Sequence, residues 1–252
     1  MPKITTGTQN YSSNEETNAR TKLYELFKEC PIPDDQVLSN IGLFLNSKDL
    51  SRILFMDFLF RQVSDVQGVV FDFGTRWGQN AAIFAACRGL YEPFNRHRKI
   101  VAFDTFAGFP SVHEKDGASD MMTEGSVSVT KGYDKYLSRA LDLIEQDNPI
   151  SHIKKNEVVV GDTCIEIDTY LERNPHTIVA LAYFDFDIYE PTKKCLDAIK
   201  DRLVKGSVVA FDELNDHDSP GETLALMETI GLRNITLKRH PYTSRVSYFV
   251  VE

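Results

Sequence analysis

The sequence has little of what marks several protein classes. Its 252 residues hold four cysteines, Cys30, Cys87, Cys164 and Cys195, with no CxxC spacing. They read as reduced thiols packed against helices or strands, not as a disulfide framework. A cysteine nucleophile is the weaker alternative, because a free Cys is usually a small buried hydrophobe. The longest basic tract is "NRHRK" at 95–99, and the net charge is −9. Nucleic acid and anionic membrane surfaces are therefore poor partners. No uncharged apolar run approaches the roughly 20 residues of a membrane helix. The opening "MPKITTGTQNYSSNEETNAR" has no apolar signal-peptide core, so a cytoplasmic protein is expected. No internal repeat or low-complexity tract is visible.

What is present suits one large domain with a substantial core: 42% of residues are hydrophobic and 26% charged. Residues 1–15 read as a mobile arm, rich in Thr, Ser and Asn. Residues 16–62 are helical in pattern. "ARTKLYELFKEC" has apolar spacings of three and four, "PIPDD" breaks it, and "DDQVLSNIGLFL" and "SKDLSRILFMDFLFRQV" follow, the last opened by Ser47 or Asp49 as cap. These helices suit a cover for the core, a lid or a dimer surface, and "LFMDFLF" carries enough apolar surface to expect a homodimer. From Gly68 to the end, strand and helix patterns alternate, with a long polar insert from Ala107. The end, "NITLKRHPYTSRVSYFVVE", reads as two strands turning at Pro241. Such alternation indicates an α/β domain over 68–252. Its sheet is mostly parallel, covered on both faces, with one antiparallel strand at the end.

Several strands of this series end in an acid: Asp72, Asp104, Asp162, Asp185 and Asp212. Ligands of open parallel sheets bind at the carboxyl ends of the strands. The competing reading is that each Asp caps the next helix or starts a turn. Asp72 and Gly74 open the loop "DFGTRWGQN", where Gly permits close backbone approach to a ligand. The loop is not the dinucleotide fingerprint, since Arg76 stands where a second glycine would. An acid beside the loop also disfavours a pyrophosphate and favours a cationic ligand such as S-adenosylmethionine. Asp104 would take the ribose hydroxyls and Asp162 the adenine amine. Taken in order, these signals indicate a methyltransferase-like Rossmann fold. Arg76 is placed to hold the methionine carboxylate by a two-pronged hydrogen bond.

Asp185 in "YFDFDIYEPT" is separated by one helix from Asp212 and Glu213 in "VVAFDELND". The crossover brings both strand ends to one rim. Crowded carboxylates raise each other's pKa, a divalent ion relieves this, and an all-oxygen set favours Mg²⁺, Ca²⁺ or Mn²⁺.

"DFDIYEPT" and "GSVVAFDE" together resemble the macrocin O-methyltransferase-like family, metal-dependent sugar O-methyltransferases of natural-product pathways. The resemblance covers roughly residues 68–215. It implies a seven-stranded class I methyltransferase fold, with S-adenosylmethionine and Mg²⁺ as cofactors and a sugar hydroxyl as acceptor. It implies Asp185, Asp212 and Glu213 as metal ligands and Asp187 as the general base. Asp72, Gly74, Asp104 and Asp162 would hold the methyl donor, with Thr75, Arg76, Thr105, Phe106, Thr163 and Asp185 beside them. The chain departs from the family in a glycine-poorer first loop, in Glu213 where Asp is common, and in the insert over 107–132. His113, His217 and His240 are alternative bases. Trp77, Phe106 and Phe109 pack either on adenine or acceptor or, as any single aromatic more often does, in the core or a loop, and Arg239 and Arg245 either grip a nucleotide-sugar phosphate or are surface arginines. A catechol or phenol acceptor is the near alternative, a metal-dependent hydrolase a further one, and a non-catalytic partner of this fold the last.

Overall fold

The computed structural model describes residues 12–252. The described chain divides into two compact units, residues 12–54 and 55–252.

The first unit is helical. Helix α1 (Asn14–Lys28) opens on a reciprocal cap: Glu16 N donates to Ser13 Oγ, and Ser13 N donates to Glu16 Oε2. The mobile arm expected over 1–15 lies mostly outside the described residues, and its end is already the start of this helix. After the proline break come a short α2 (Asp34–Val37), a 3₁₀ stretch to Phe44, and α3 (Ser47–Gln62). The cap of α3 is Asn46 rather than Ser47 or Asp49: Asp49 N donates to Asn46 Oδ1 at 3.0 Å. No residue of α1, α2 or the 3₁₀ stretch is buried.

The second unit contains β1 (Val69–Phe73), α4 (Gln79–Tyr91), β2 (Ile100–Asp104), α5 (Tyr133–Gln146), β3 (Asn156–Val160), α6 (Thr163–Arg173), β4 (Val179–Phe184), α7 (Tyr189–Ile199), β5 (Leu203–Phe211), α8 (Gly221–Thr229), β6 (Lys238–Arg239) and β7 (Ser247–Val250). The seven strands lie in the order β3-β2-β1-β4-β5-β7-β6. Only β7 runs against the rest, as it pairs antiparallel with both neighbours. The central strands are fully buried, as a parallel sheet covered on both faces requires.

Alternation along the strands feeds two cores. Phe71, Phe73, Phe103 and Phe184 pack with Tyr170, Cys195 and Leu196 of α6 and α7. Val70, Ala102 and Tyr183 pack with Phe55 and Leu59 of α3, Phe84 of α4 and Leu137 of α5. The register between β1 and β4 slips at Ala180. This bulge puts both Ala180 and Leu181 on the α4 face, and so turns Tyr183 to that face as well.

The insert after β2 is anchored to the domain. Phe109, Met121 and Met122 are buried in the first core. Buried Asp116 accepts hydrogen bonds from Tyr189 N (2.6 Å) and His113 N (2.7 Å). It thereby caps α7, whose own N-cap residue, Ile188, has no polar side chain to offer.

Candidate active site

Phe73, Phe184 and Phe211 are level across β1, β4 and β5. The residues after them therefore leave the sheet side by side. Gly74 packs so closely on the next loop that a Cβ would lie 2.1 Å from the Asp185 carbonyl oxygen. Its φ of +78° is also in the left-handed region.

The β1–α4 loop is held from beneath and from the side. Buried Asp72 accepts from Thr75 Oγ1 at 2.5 Å. Asp104 accepts from Arg76 N (2.7 Å) with one oxygen and from Phe106 N (2.6 Å) with the other. A carboxylate has about four acceptor sites, so Asp104 keeps capacity for a ligand. Burial raises its pKa, against the pull of those two amides. Arg76 and Phe106 both adopt positive φ, +47° and +56°. The Arg76 Nε and Nη2 atoms are buried and have no hydrogen-bond partner among the described residues. Orphaned guanidinium donors beside a glycine turn fit an anionic group of a ligand, as the α-carboxylate of S-adenosylmethionine is. Asp162 caps α6 by accepting from Cys164 N (3.0 Å), so the capping reading holds for it. Thr163 is buried in the first turn of α6, and Thr105 turns back to donate to the Gly108 carbonyl.

The acids converge one loop away. Asp185, Asp187 and Glu213 each offer a carboxylate oxygen, all within 4.8 Å of one another. Asp187, expected as the base, is in this group. Asp212, the third expected ligand, accepts through Oδ1 from the Tyr183 hydroxyl at 2.5 Å, which the β4 bulge turns toward it. Burial first, and the neighbouring carboxylates second, push Glu213 well above the usual carboxylate range. Asp187 is raised by burial, with a contact to Glu213 opposing the shift. Glu213 Oε2 is buried with no hydrogen-bond partner among the described residues. Three crowded oxygen donors with one orphaned atom fit a hard divalent cation.

Sequence reasoning missed three neighbours. Glu222, wholly buried in the first turn of α8, accepts from Phe186 N (2.9 Å) and Glu213 N (3.4 Å). Its only sequence signal was an acid at a helix start, which reads as a dipole complement. Asn80 of α4 donates to Asp185 Oδ2 at 3.5 Å, a long contact linking the glycine loop to the acids. Tyr183 looked like an ordinary strand aromatic. Arg245, expected at a phosphate, pairs instead with Glu213 (2.8 Å) and Asp216 (3.3 Å), while Arg239 is exposed on β6.

The other candidates lie elsewhere. His113 accepts from Lys115 N and packs on Tyr189. His240 is buried among Phe55, Phe58 and Tyr242, and His217 is fully exposed. Phe109 is core, Trp77 packs edge-on against Tyr133, and Phe106 contacts Tyr133 as well. The Cys87 and Cys164 thiols are pushed up to about 12 by burial, which argues against a thiolate nucleophile.

No known family model matches the chain, and no curated protein does. Solved structures match closely. The chain is 42% identical to CalS11, a calicheamicin methyltransferase, over 96% of this chain and 94% of that one, with a TM-score of 0.93. The apo structure of CalS11, described as a TDP-rhamnose 3'-O-methyltransferase, matches at 39% identity over 96% of each chain with a TM-score of 0.85. The O-methyltransferase NovP, at 16% identity over 79% of each chain and a TM-score of 0.59, shares the fold. By its identity to CalS11 along nearly its whole length, this chain belongs to the S-adenosylmethionine-dependent sugar O-methyltransferases of natural-product pathways.

Proposed function

We propose that the acceptor is a nucleotide-linked sugar, that Mg²⁺ or a similar ion assists at the acidic cluster, and that Asp187 removes the acceptor proton. The carrying observation is the cluster of Asp185, Asp187 and Glu213 one loop from the orphaned donors of Arg76. The acceptor class rests on the TDP-sugar named for CalS11.

S-adenosylmethionine supplies an activated methyl group, so the protein's task is mainly to position the partners, which can contribute about 7–11 kcal/mol. Arg76 would bind the methionine carboxylate and Asp104 the ribose hydroxyls, while Asp162, expected at the adenine amine, caps α6. Thr75 braces Asp72 beneath the loop. Asp185, Asp212 and Glu213 would hold a divalent ion, which would supply positive charge that acidifies the acceptor hydroxyl. Asp187, raised above the ordinary carboxylate value by burial and lying beside the other acids, is suited to accept a proton, a role worth about 10²–10⁴-fold.

Titrating S-adenosylhomocysteine by calorimetry, with Mg²⁺ and again with EDTA, tests this division of labour. Binding in both is expected. Binding that vanishes in EDTA would show that the acids belong to the cofactor site and not to a separate metal centre.

A homodimer is part of the proposal. The stretch "LFMDFLF", expected as the dimer surface, does not supply it, since Phe55, Met56, Leu59 and Phe60 are buried core; Leu26, Leu38 and Leu43 of the helical unit, 63%, 81% and 67% exposed, are what a partner chain would cover. Light scattering giving a 28.6 kDa particle would end that reading. A cytoplasmic location accords with four free cysteines. Among the described residues, no helix is long and apolar enough to cross a membrane.

A further inference from the structure

Glu222 is a carboxylate at 0% exposure on the rim where four other acids already crowd. Burying another one there is costly unless its oxygens are used. They are used, and on backbone rather than on cations. Oε1 accepts from Phe186 N, the amide between Asp185 and Asp187. Oε2 accepts, at a longer 3.4 Å, from Glu213 N. One side chain thus joins the loop after β4 to the loop after β5, and each loop carries a member of the acid cluster.

The loop after β4 needs such a hold. Asp187 sits at φ +61°, a conformation that costs an L-residue roughly 1–2 kcal/mol. Its two flanks are clamped by acids from distant elements: Glu222 of α8 takes Phe186 N, and Asp116 of the insert takes Tyr189 N. The clamps meet at Gly221, where a Cβ would lie 2.5 Å from Asp116 Oδ1 and 2.6 Å from Tyr189 N. The N-terminus of α8 is therefore docked flush on the loop that presents Asp187.

We propose that Glu222 is the positioning residue of this enzyme, setting Asp187 and Glu213 at working distance by bridging the amides of Phe186 and Glu213. It acts through those residues and touches neither acceptor nor methyl donor. The inference rests on the reading of the acid cluster as the catalytic centre.

Glu222→Gln tests it, with Glu172→Gln on the exposed face of α6 as a control. A Gln amide keeps one acceptor oxygen and turns an NH₂ group toward the second backbone N–H. The kcat should fall about 10–100-fold, the usual range for losing a partner that orients a ligand or catalytic group. Mg²⁺ affinity should fall with it, and S-adenosylhomocysteine affinity should stay within about threefold, since the glycine loop is not touched. In the protein without metal or cofactor, peptides covering Phe186 and Glu213 should exchange amide hydrogen faster, while those of β1 and β4 keep their protection. The control should match wild type in all four. Unchanged kcat together with unchanged exchange at Phe186 and Glu213 would overturn the proposal. If Glu222→Gln does not fold, wild-type exchange decides: the two amides should be as protected as the core strands, and loop-like rates would refute the bridge. If wild type binds no Mg²⁺, the metal reading fails by itself, and the exchange and kcat results still decide the role of Glu222.

Discussion

Arg88, Lys155 and Glu145 are buried together at the amino ends of β2 and β3, where Glu145 pairs with both cations. Beside them Arg98 is buried against Glu92 and donates to the carbonyls of Gly68, Val63 and Val66. At the carboxyl end of the same sheet, Asp185, Asp187, Asp212, Glu213 and Glu222 are gathered, and Arg245 pairs there with Glu213 and with Asp216. One end buries both signs together, each charge in an ion pair. The other accumulates one sign and leaves Glu213 Oε2 and the Arg76 donors without hydrogen-bond partners among the described residues. Paired burial is what a fold needs. Crowded burial of one sign is costly and persists where a ligand offsets it. The contrast separates structural from functional charge without reference to any relative.

Three experiments bear on the contrast, from the largest expected effect to the smallest. Asp187→Asn keeps an oxygen donor and removes the proton acceptor, so methyl transfer should fall about 10²–10⁴-fold. The unfolding free energy of the apoprotein should hold or rise, because one repelling charge is gone. Glu145→Gln should do the reverse. Arg88 and Lys155 would be left buried without an anion, costing about 3–5 kcal/mol in urea unfolding, with S-adenosylhomocysteine binding intact in the folded fraction. Equal losses of stability in the two variants would erase the distinction between the ends.

The third experiment is the pH dependence of stability. Burial and repulsion raise Asp187, Glu213 and Glu222 above their ordinary values, so the folded apoprotein holds more protons than the unfolded chain. This contribution makes stability fall as pH rises from about 4.5 through the raised values. Glu228 supplies the opposite sign. Hydrogen bonds from Lys115, Tyr189 and Lys193 lower it to about 2, so its contribution is present above about 4.5 and is lost as pH falls toward 2. In Glu228→Gln the deficit against wild type should therefore shrink with acidification. A deficit that grows toward pH 2 would reverse the assigned sign.

Much of the fold is legible in the residues because the five parallel strands β1 to β5 are mostly apolar runs that each end at an acid or glycine. "VVFDFG" and "YFDFD" mark two adjacent strand ends, and the sheet brings them level through Phe73 and Phe184. The acidic rim is legible for the same reason, since parallel strands place their carboxyl ends together. The hydrogen bond on Asp212 is not. It depends on the bulge at Ala180, which turns Tyr183 onto Asp212, and a bulge leaves no mark in the periodicity of "IVALAYF". Glu222 is hidden for a different reason: its role exists only once α8 docks on the β4–α7 loop, a contact set by packing at Gly221. The insert looked polar and unplaced because its anchors, Asp116 and two methionines, act through partners far along the chain.

The central claim, that the acids at the carboxyl end form a divalent-cation site, is tested most directly by titrating Mg²⁺ into the apoprotein in two buffers of different ionisation enthalpy. Saturable binding at one site per chain, with protons released because raised carboxylates must ionise to bind, is the predicted result, and Asp185→Ala should abolish it. Absence of saturable heat in wild type, or binding that survives in Asp185→Ala, would contradict the claim.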